Sequence, residues 1–267
     1  MLTKLENIEQ YHEIVSAFKE KHRNSVTNLV LPVKTIENLI ANKKVSFCLF
    51  NNCLFFVIEQ YHVSMLYFYA NNLENVDASF YESQLFLEIL VHQDNLITWD
   101  KILSGNGFNK KLSYSRMIAT EQSLNLDIKT DKSFEISTEV DKECTIKLLK
   151  DNFDLVGDRL PEEEDYDCFF SEKYIIQIND IEKNECAGVL VYSVINKMSM
   201  LDYIIVNNEY RGHGVSKMLM SYYLNETRDM IKRYELWVLR DNPVAISLYL
   251  NMGYKLDTLC KELYTVN

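Results

Sequence analysis

Glycine and proline are scarce in this chain, at seven and three of 267 residues. That scarcity excludes collagen-like tracts and long Gly/Pro linkers, and it makes each glycine informative. Cationic charge is also in deficit, with 28 Lys and Arg against 39 Asp and Glu, for a net charge of -11. An acidic surface is a poor partner for phosphate backbones, so nucleic acid is not expected as a ligand. A cationic substrate such as an amine is attracted by the same charge. No apolar run approaches the ~20 residues needed to cross a bilayer, and no basic segment with an apolar core opens the chain. No membrane association is expected, and the reading is a cytoplasmic protein. The six cysteines form no C-x-x-C pair and no Cys/His cluster, so neither a zinc site nor any other metal is expected. Oligomeric state is not legible.

What is present is periodic. Ile8, Tyr11, Ile14, Val15 and Phe18 form a helical stripe over residues 8–20. Three strand-like runs follow at 45–50, 53–60 and 63–70, separated by Asn51-Asn52 and by a polar stretch, as in an antiparallel meander. Helices are expected at about 80–92 and 95–104, then a strand at 112–119. The polar, aperiodic residues 120–133 read as a connection between halves. The second half predicts strands at 134–138, 173–179, 186–195, 198–206, 234–239 and 254–265, with helices at 141–153, from Gly212–Gly214 to about 232, and at 243–252. This alternation predicts an α/β or α+β sheet in each half, and the halves read as diverged copies.

Two segments carry chemistry. The apolar strand ending Tyr203-Ile204-Ile205-Val206 leads into Arg211-Gly212-His213-Gly214-Val215-Ser216-Lys217, and then into a helix with Val215, Met218, Leu219 and Tyr222 at helical spacing. A helix N-terminus has N–H groups without internal partners and partial positive charge. Glycines let a ligand approach its backbone closely, so the turn suits phosphate or pyrophosphate. A plain strand–turn–helix junction would use the same residues, and the P-loop pattern is absent. The second segment runs Asn242-Pro243 to Gly253-Tyr254. Asn242 is a good N-cap, Pro243 suits the first helical position and Gly253 the residue past the end. Ala245, Leu248, Tyr249 and Met252 share a face, which by itself makes Tyr249 a core aromatic.

Together, in order and spacing, the two segments resemble the GNAT superfamily of coenzyme A-dependent N-acetyltransferases. The family's Arg/Gln-x-x-Gly-x-Gly/Ala turn stands here as Arg211 to Ser216, with Ser216 in place of the usual Gly or Ala. The family's Asn-x-x-Ala, Tyr and Gly-Phe/Tyr landmarks stand as Asn242, Ala245, Tyr249 and Gly253-Tyr254. The strong part of the match covers about residues 186–255. The resemblance implies two GNAT-like lobes, each a mixed, mostly antiparallel sheet flanked by helices. Residues 1–122 would be a degenerate lobe without cofactor, 123–133 a linker and 134–267 the N-acetyltransferase domain. It implies acetyl-coenzyme A as donor and a small-molecule or peptide amine as acceptor. Ile204, Ile205 and Val206 would run beside the pantetheine arm, residues 211–217 would bind pyrophosphate, and Asn242 would lie along the pantetheine. Tyr249 would be the general acid and Asp202 the general base, with a backbone N–H near Val206 facing the oxyanion; a solvated charge at the strand end reads equally well for Asp202. The acidic stretch Glu162–Asp165 falls where this family shapes its acceptor pocket, although a solvated charge run is the better reading of it. In the first half, residues 71–79 lack glycine and basic residues. Residues 95–108 resemble the second segment, with Asn95, Gly107-Phe108, and Leu103 in place of the Tyr. The alternative is a module that binds coenzyme A without turnover.

Overall fold

The computed structural model describes residues 2–125, 132–137 and 139–267. The expected linker over 123–133 therefore lies largely outside the described residues, as does Thr138 at the end of the strand expected over 134–138. The chain forms two compact units: Met1–Ser113 joined by Leu259–Asn267, and Tyr114–Thr258. These limits differ from a cut at 122 and 134. The strand residues from Tyr114 onward belong to the second unit, and the last nine residues return to the first. The reason is pairing. The segment Leu259–Val266 aligns antiparallel with His92–Leu85, partners no local pattern can disclose.

In the first unit the elements are β1 (Thr3–Lys4), α1 (Ile8–Lys21), β2 (Val26–Thr27), α2 (Val33–Ala41), β3 (Val45–Phe50), β4 (Cys53–Gln60), β5 (Val63–Ala70), β6 (Leu85–His92) and α3 (Leu96–Gly105). Asn7 caps α1 by accepting from the Gln10 N–H. The strands β3, β4 and β5 form the expected meander, and β6 joins β5 in parallel at Ser64↔Leu85 and Met65↔Phe86. The helix expected over 80–92 is therefore a strand. The run Leu85–Ile89 is buried at every position, Glu88 included, because β6 is covered on both faces. A short, continuously apolar segment of this kind has no period to separate helix from strand. On one face Leu103 and Phe108 join Phe55, Phe68, Leu87 and Tyr264 in a core. On the other, Tyr11 of α1 packs on Phe56 with ring centroids 5.4 Å apart.

In the second unit the chain runs through β7 (Asn109–Thr120, from Tyr114), β8 (Phe134–Ile136), α4 (Lys142–Asn152), α5 (Tyr166–Glu172), β9 (Tyr174–Asp180), β10 (Glu185–Ile195), β11 (Met198–Val206), α6 (Val215–Thr227), β12 (Arg233–Leu239), α7 (Pro243–Asn251) and β13 (Lys255–Val266, to Thr258). The sheet order is β7-β12-β11-β10-β9-β8, with β11–β12 parallel and the other pairs antiparallel. Leu219, Met220, Tyr223 and Leu224 of α6 and Tyr249 of α7 pack with Leu190, Leu201 and Leu236 on one face. Leu148, Leu149 and Phe169 of α4 and α5 pack with Val189, Val191 and Tyr203 on the other. Alternate residues of one strand thus feed two cores, as a sheet between two helical layers requires.

Candidate active site

The parallel pairing of β11 with β12 covers only Met198–Leu201 against Arg233–Leu236. Beyond it no rungs join Asp202–Val206 to Trp237–Leu239, and both segments line one cavity of about 650 Å³. A bulge lies at the branch point: Val191 aligns with Tyr203 and Tyr192 with Leu201, which leaves Asp202 as the extra residue of β11. Bulges turn a side chain out of the regular alternation and bend the strand that carries them. Asp202 accordingly lines the cavity.

The end of β11 delivers the chain to the glycine turn. Gly212 and Gly214 sit at φ +85 and +81, the left-handed region that favours glycine. A Cβ built on either would meet no protein atom within 4 Å, so both open onto free space. Gly214 is the N-cap of α6, no side chain caps the helix, and the first helical bond runs from the Met218 N–H to the Gly214 carbonyl. The N–H groups of the first turn are thus left without intrahelical partners. The approach of α6 to the sheet depends on Gly188 of β10. A Cβ there would stand 2.8 Å from the Ile205 carbonyl oxygen, 3.1 Å from Val215 Cγ1 and 3.2 Å from Leu219 Cδ1. Gly188 belongs to neither motif, and its signal in the sequence is a glycine within an apolar strand, which marks close backbone approach.

The other wall is α7. Asn242 caps it, its Oδ1 accepting from the Ala245 N–H at 3.0 Å, and Pro243 stands in the first turn. Gly253, at φ +92, ends the element, and a Cβ there would lie 1.9 Å from the Ser123 carbonyl oxygen. Tyr249 is 6% exposed and lines the cavity, with its ring 6.0 Å from that of Tyr254. Burial raises its hydroxyl pKa well above the ordinary tyrosine value.

The cavity wall therefore includes Asp202, Ile204, Ile205, Val206, Arg211, Gly212, Gly214, Val215, Ser216, Asn242 and Tyr249. His213 and Lys217 are exposed and do not line it. Arg211 Nη2 donates to Asn152 Oδ1 at 3.1 Å, which ties the turn to the end of α4. Asp202 Oδ2 accepts from Lys173 Nζ at 2.9 Å. Burial pushes the Asp202 carboxyl up from its ordinary range, and the Lys173 charge with bonds from Lys173 and Ser193 offsets only part of this.

Sequence reasoning passed over part of the wall. Asp154, Asp158, Tyr114 and Trp237 all line the cavity. Tyr114 Oη donates to Asp158 Oδ1 at 3.0 Å, and the Asp154 N–H to Asp158 Oδ2 at 2.8 Å. Asp154 Oδ1 in turn accepts from the N–H groups of Val156 and Gly157. The acidic stretch Glu162–Asp165 does not line the cavity; Glu163–Asp165 form a short 3-10 turn leading into α5. The wall's carboxylates come from residues 154, 158 and 202 instead. A turn of short polar residues gives no periodic signal, which is why 154–159 was not legible as wall.

The arrangement suits a long anionic ligand: free N–H groups and two Cβ-less residues at one end, an apolar groove between splayed strands, and a protonated phenol within. Residues 143–254 match the model of the acetyltransferase (GNAT) family. That segment is a GNAT acetyltransferase domain. Among solved structures, a GCN5-related N-acetyltransferase from Sphaerobacter thermophilus aligns with TM-score 0.61 at 12% identity, over 99% of this chain and 94% of that one. A GCN5-related N-acetyltransferase from Kribbella flavida aligns with TM-score 0.55 at 10% identity, over 87% and 92%. A tandem GNAT protein from the clavulanic acid biosynthesis pathway gives 0.54 at 10% identity, over 83% and 78%. At these identities the likeness shows the fold. No curated protein matches the chain in sequence.

Proposed function

We propose that the second unit moves an acetyl group from acetyl-coenzyme A to a primary amine. The observation that carries this reading is the cavity itself: it opens where β11 leaves β12, runs to the uncapped N-terminus of α6, and has Tyr249 in its wall. When bound, acetyl-coenzyme A supplies an acyl group activated as a thioester. The chain supplies the rest. The N–H groups from Gly214 to Lys217, with Arg211 beside them, bind negative charge at the helix dipole's positive end. The exposed backbone edge of Ile204, Ile205 and Val206 aligns an extended ligand as a strand would. The Asn242 Oδ1 is committed to its cap, so its amide nitrogen is the group left to face the ligand. Tyr249 Oη holds the proton to be donated, and its raised pKa keeps that proton in place at neutral pH.

An amine attacks only when neutral, so a group must take its proton. Asp202 is placed for this, and its raised pKa brings it nearer the useful range of a base. Asp154 and Asp158, fixed by the bonds above, add negative charge that draws a cationic amine into the wall. The Lys173–Asp202 ion pair favours a second reading, a module that binds coenzyme A without turnover, because it engages the candidate base.

The test is a free-thiol release assay with acetyl-coenzyme A across a panel of small amines, amino acids and peptide N-termini. The enzyme reading expects release with one amine class. Binding of acetyl-coenzyme A with no release from any amine would return the protein to the second reading.

A further inference from the structure

The first unit repeats the geometry that opens the cavity in the second. Its parallel pair, β5 with β6, is bonded only at Ser64–Met65 against Leu85–Phe86. Beyond those rungs β5 continues to Ala70 and turns into a short 3-10 helix, Leu73–Asn75, just as β11 continues to Val206 and turns into Asn208–Tyr210. Counting back from the ends of the two strands, Phe68, Tyr69 and Ala70 take the places of Ile204, Ile205 and Val206, the wall of the second unit's cavity.

In the first unit that place is filled by the chain itself. Val26 and Thr27 of β2 pair antiparallel with Ala70 and Tyr69. The next residue, Asn28, is buried although Val26 and Thr27 are exposed. Its Nδ2 donates to the Leu66 carbonyl at 3.0 Å and to the Glu88 carbonyl at 2.9 Å, so one side chain spans from β5 to β6 where their own ladder has ended. Its Oδ1 accepts from the Phe68 N–H at 2.8 Å. Both amide hydrogens and the amide oxygen are thus engaged, and only an uncharged amide can do this.

We propose that Val26–Asn28 is a built-in occupant of the first unit's groove: it satisfies the strand edge that the second unit leaves open for a ligand, and Asn28 is the pin. The first unit therefore has a groove of the right descent but no site, and the chain binds one cofactor rather than two. The one-cofactor consequence rests on the function proposed above; the pin does not.

The pin is tested by hydrogen exchange on the full chain. Asn28→Ala should raise the exchange rate of the Phe68 amide at least tenfold relative to the unaltered chain, and Asn28→Asp should do so too, since a carboxylate has no hydrogen to give the Leu66 and Glu88 carbonyls. Unchanged Phe68 protection in both variants would overturn the proposal. Titration of the unaltered chain with acetyl-coenzyme A supplies the second arm. One equivalent per chain is expected, and two equivalents would show the first groove to be open. Absence of binding would count against the function proposed for the second unit, while the exchange result would still decide the pin.

Discussion

Tyr249 is where two roles meet in a single side chain. It belongs to the core of the second unit and it lines the cavity. Replacing it with Phe keeps the ring and removes the proton. The account expects kcat to fall ~100-fold or more, the low end of a general acid's contribution, with little change in affinity for acetyl-coenzyme A. Steady-state kinetics and calorimetry on Tyr249→Phe check this, and full activity would make Tyr249 a core aromatic alone. Because burial raises the tyrosine pKa, the acid form persists above the ordinary value of about 10. The kcat–pH profile should therefore rise as the amine loses its proton and show no falling limb below about pH 10. Much of the cavity wall was legible here because it sits in two motifs of fixed spacing. The partner of Asp202 was not: Lys173 lies 29 residues earlier, on the segment before β9, and nothing local joins them.

Among elements, α6 controls the site, and its height above the sheet is set by Gly188. Ala at that position would drive a Cβ into the Ile205 carbonyl and Val215, at 2.8 and 3.1 Å. The first turn of α6 must then lift or the β10–β11 ladder must bend, at a cost of roughly 1–3 kcal/mol for overpacking. Gly188→Ala should lower the melting temperature and weaken acetyl-coenzyme A at least tenfold, even though residue 188 does not line the cavity; calorimetry and a thermal melt read both effects, and unchanged affinity would separate helix height from binding. Most elements were legible from period and punctuation: β3, β4 and β5 lie at the expected limits, and Asn242, Pro243 and Gly253 bound α7 as their chemistry dictates. The two-residue strands β1 and β2, helix α5 and two further elements were not. Helix α2 was missed because Val33–Ala41 is short and has no side-chain cap bond. Strand β6 was read as a helix because it is apolar throughout, and its identity is fixed by neighbours at Ser64–Met65 and Leu259–Val266.

In the whole molecule the last nine residues are spent on the first unit. Eight of them pair with β6, so its sheet is completed by the far end of the chain. Within that pairing Lys261 and Glu88 are both buried, with Nζ to Oε2 at 4.0 Å, and Glu262 is fully buried while accepting from Ser113 Oγ at 2.6 Å. Ending the chain at Thr258 would expose the edge of β6 and take Lys261 away from the buried Glu88, which is costly in a buried setting. The truncated chain should lose protease resistance in residues 1–113, and retention of a resistant first unit would contradict the pairing's importance. Sequence periodicity assigned Leu259–Val266 a strand correctly and its unit incorrectly, because a strand pattern carries no record of its partner.

In the function proposed above, the groove beside β11 and the uncapped start of α6 hold coenzyme A. The measurement that tests it most directly is calorimetric titration with acetyl-coenzyme A of the unaltered chain and of Gly214→Leu. Leucine at residue 214 adds a side chain to the cavity wall, where its Cβ meets nothing within 4 Å outside the turn, and it strains a backbone held at φ +81. The account predicts saturable binding by the unaltered chain and its loss in the variant, with the fold retained by circular dichroism. Equal affinity in both chains, or no binding by either, would contradict it.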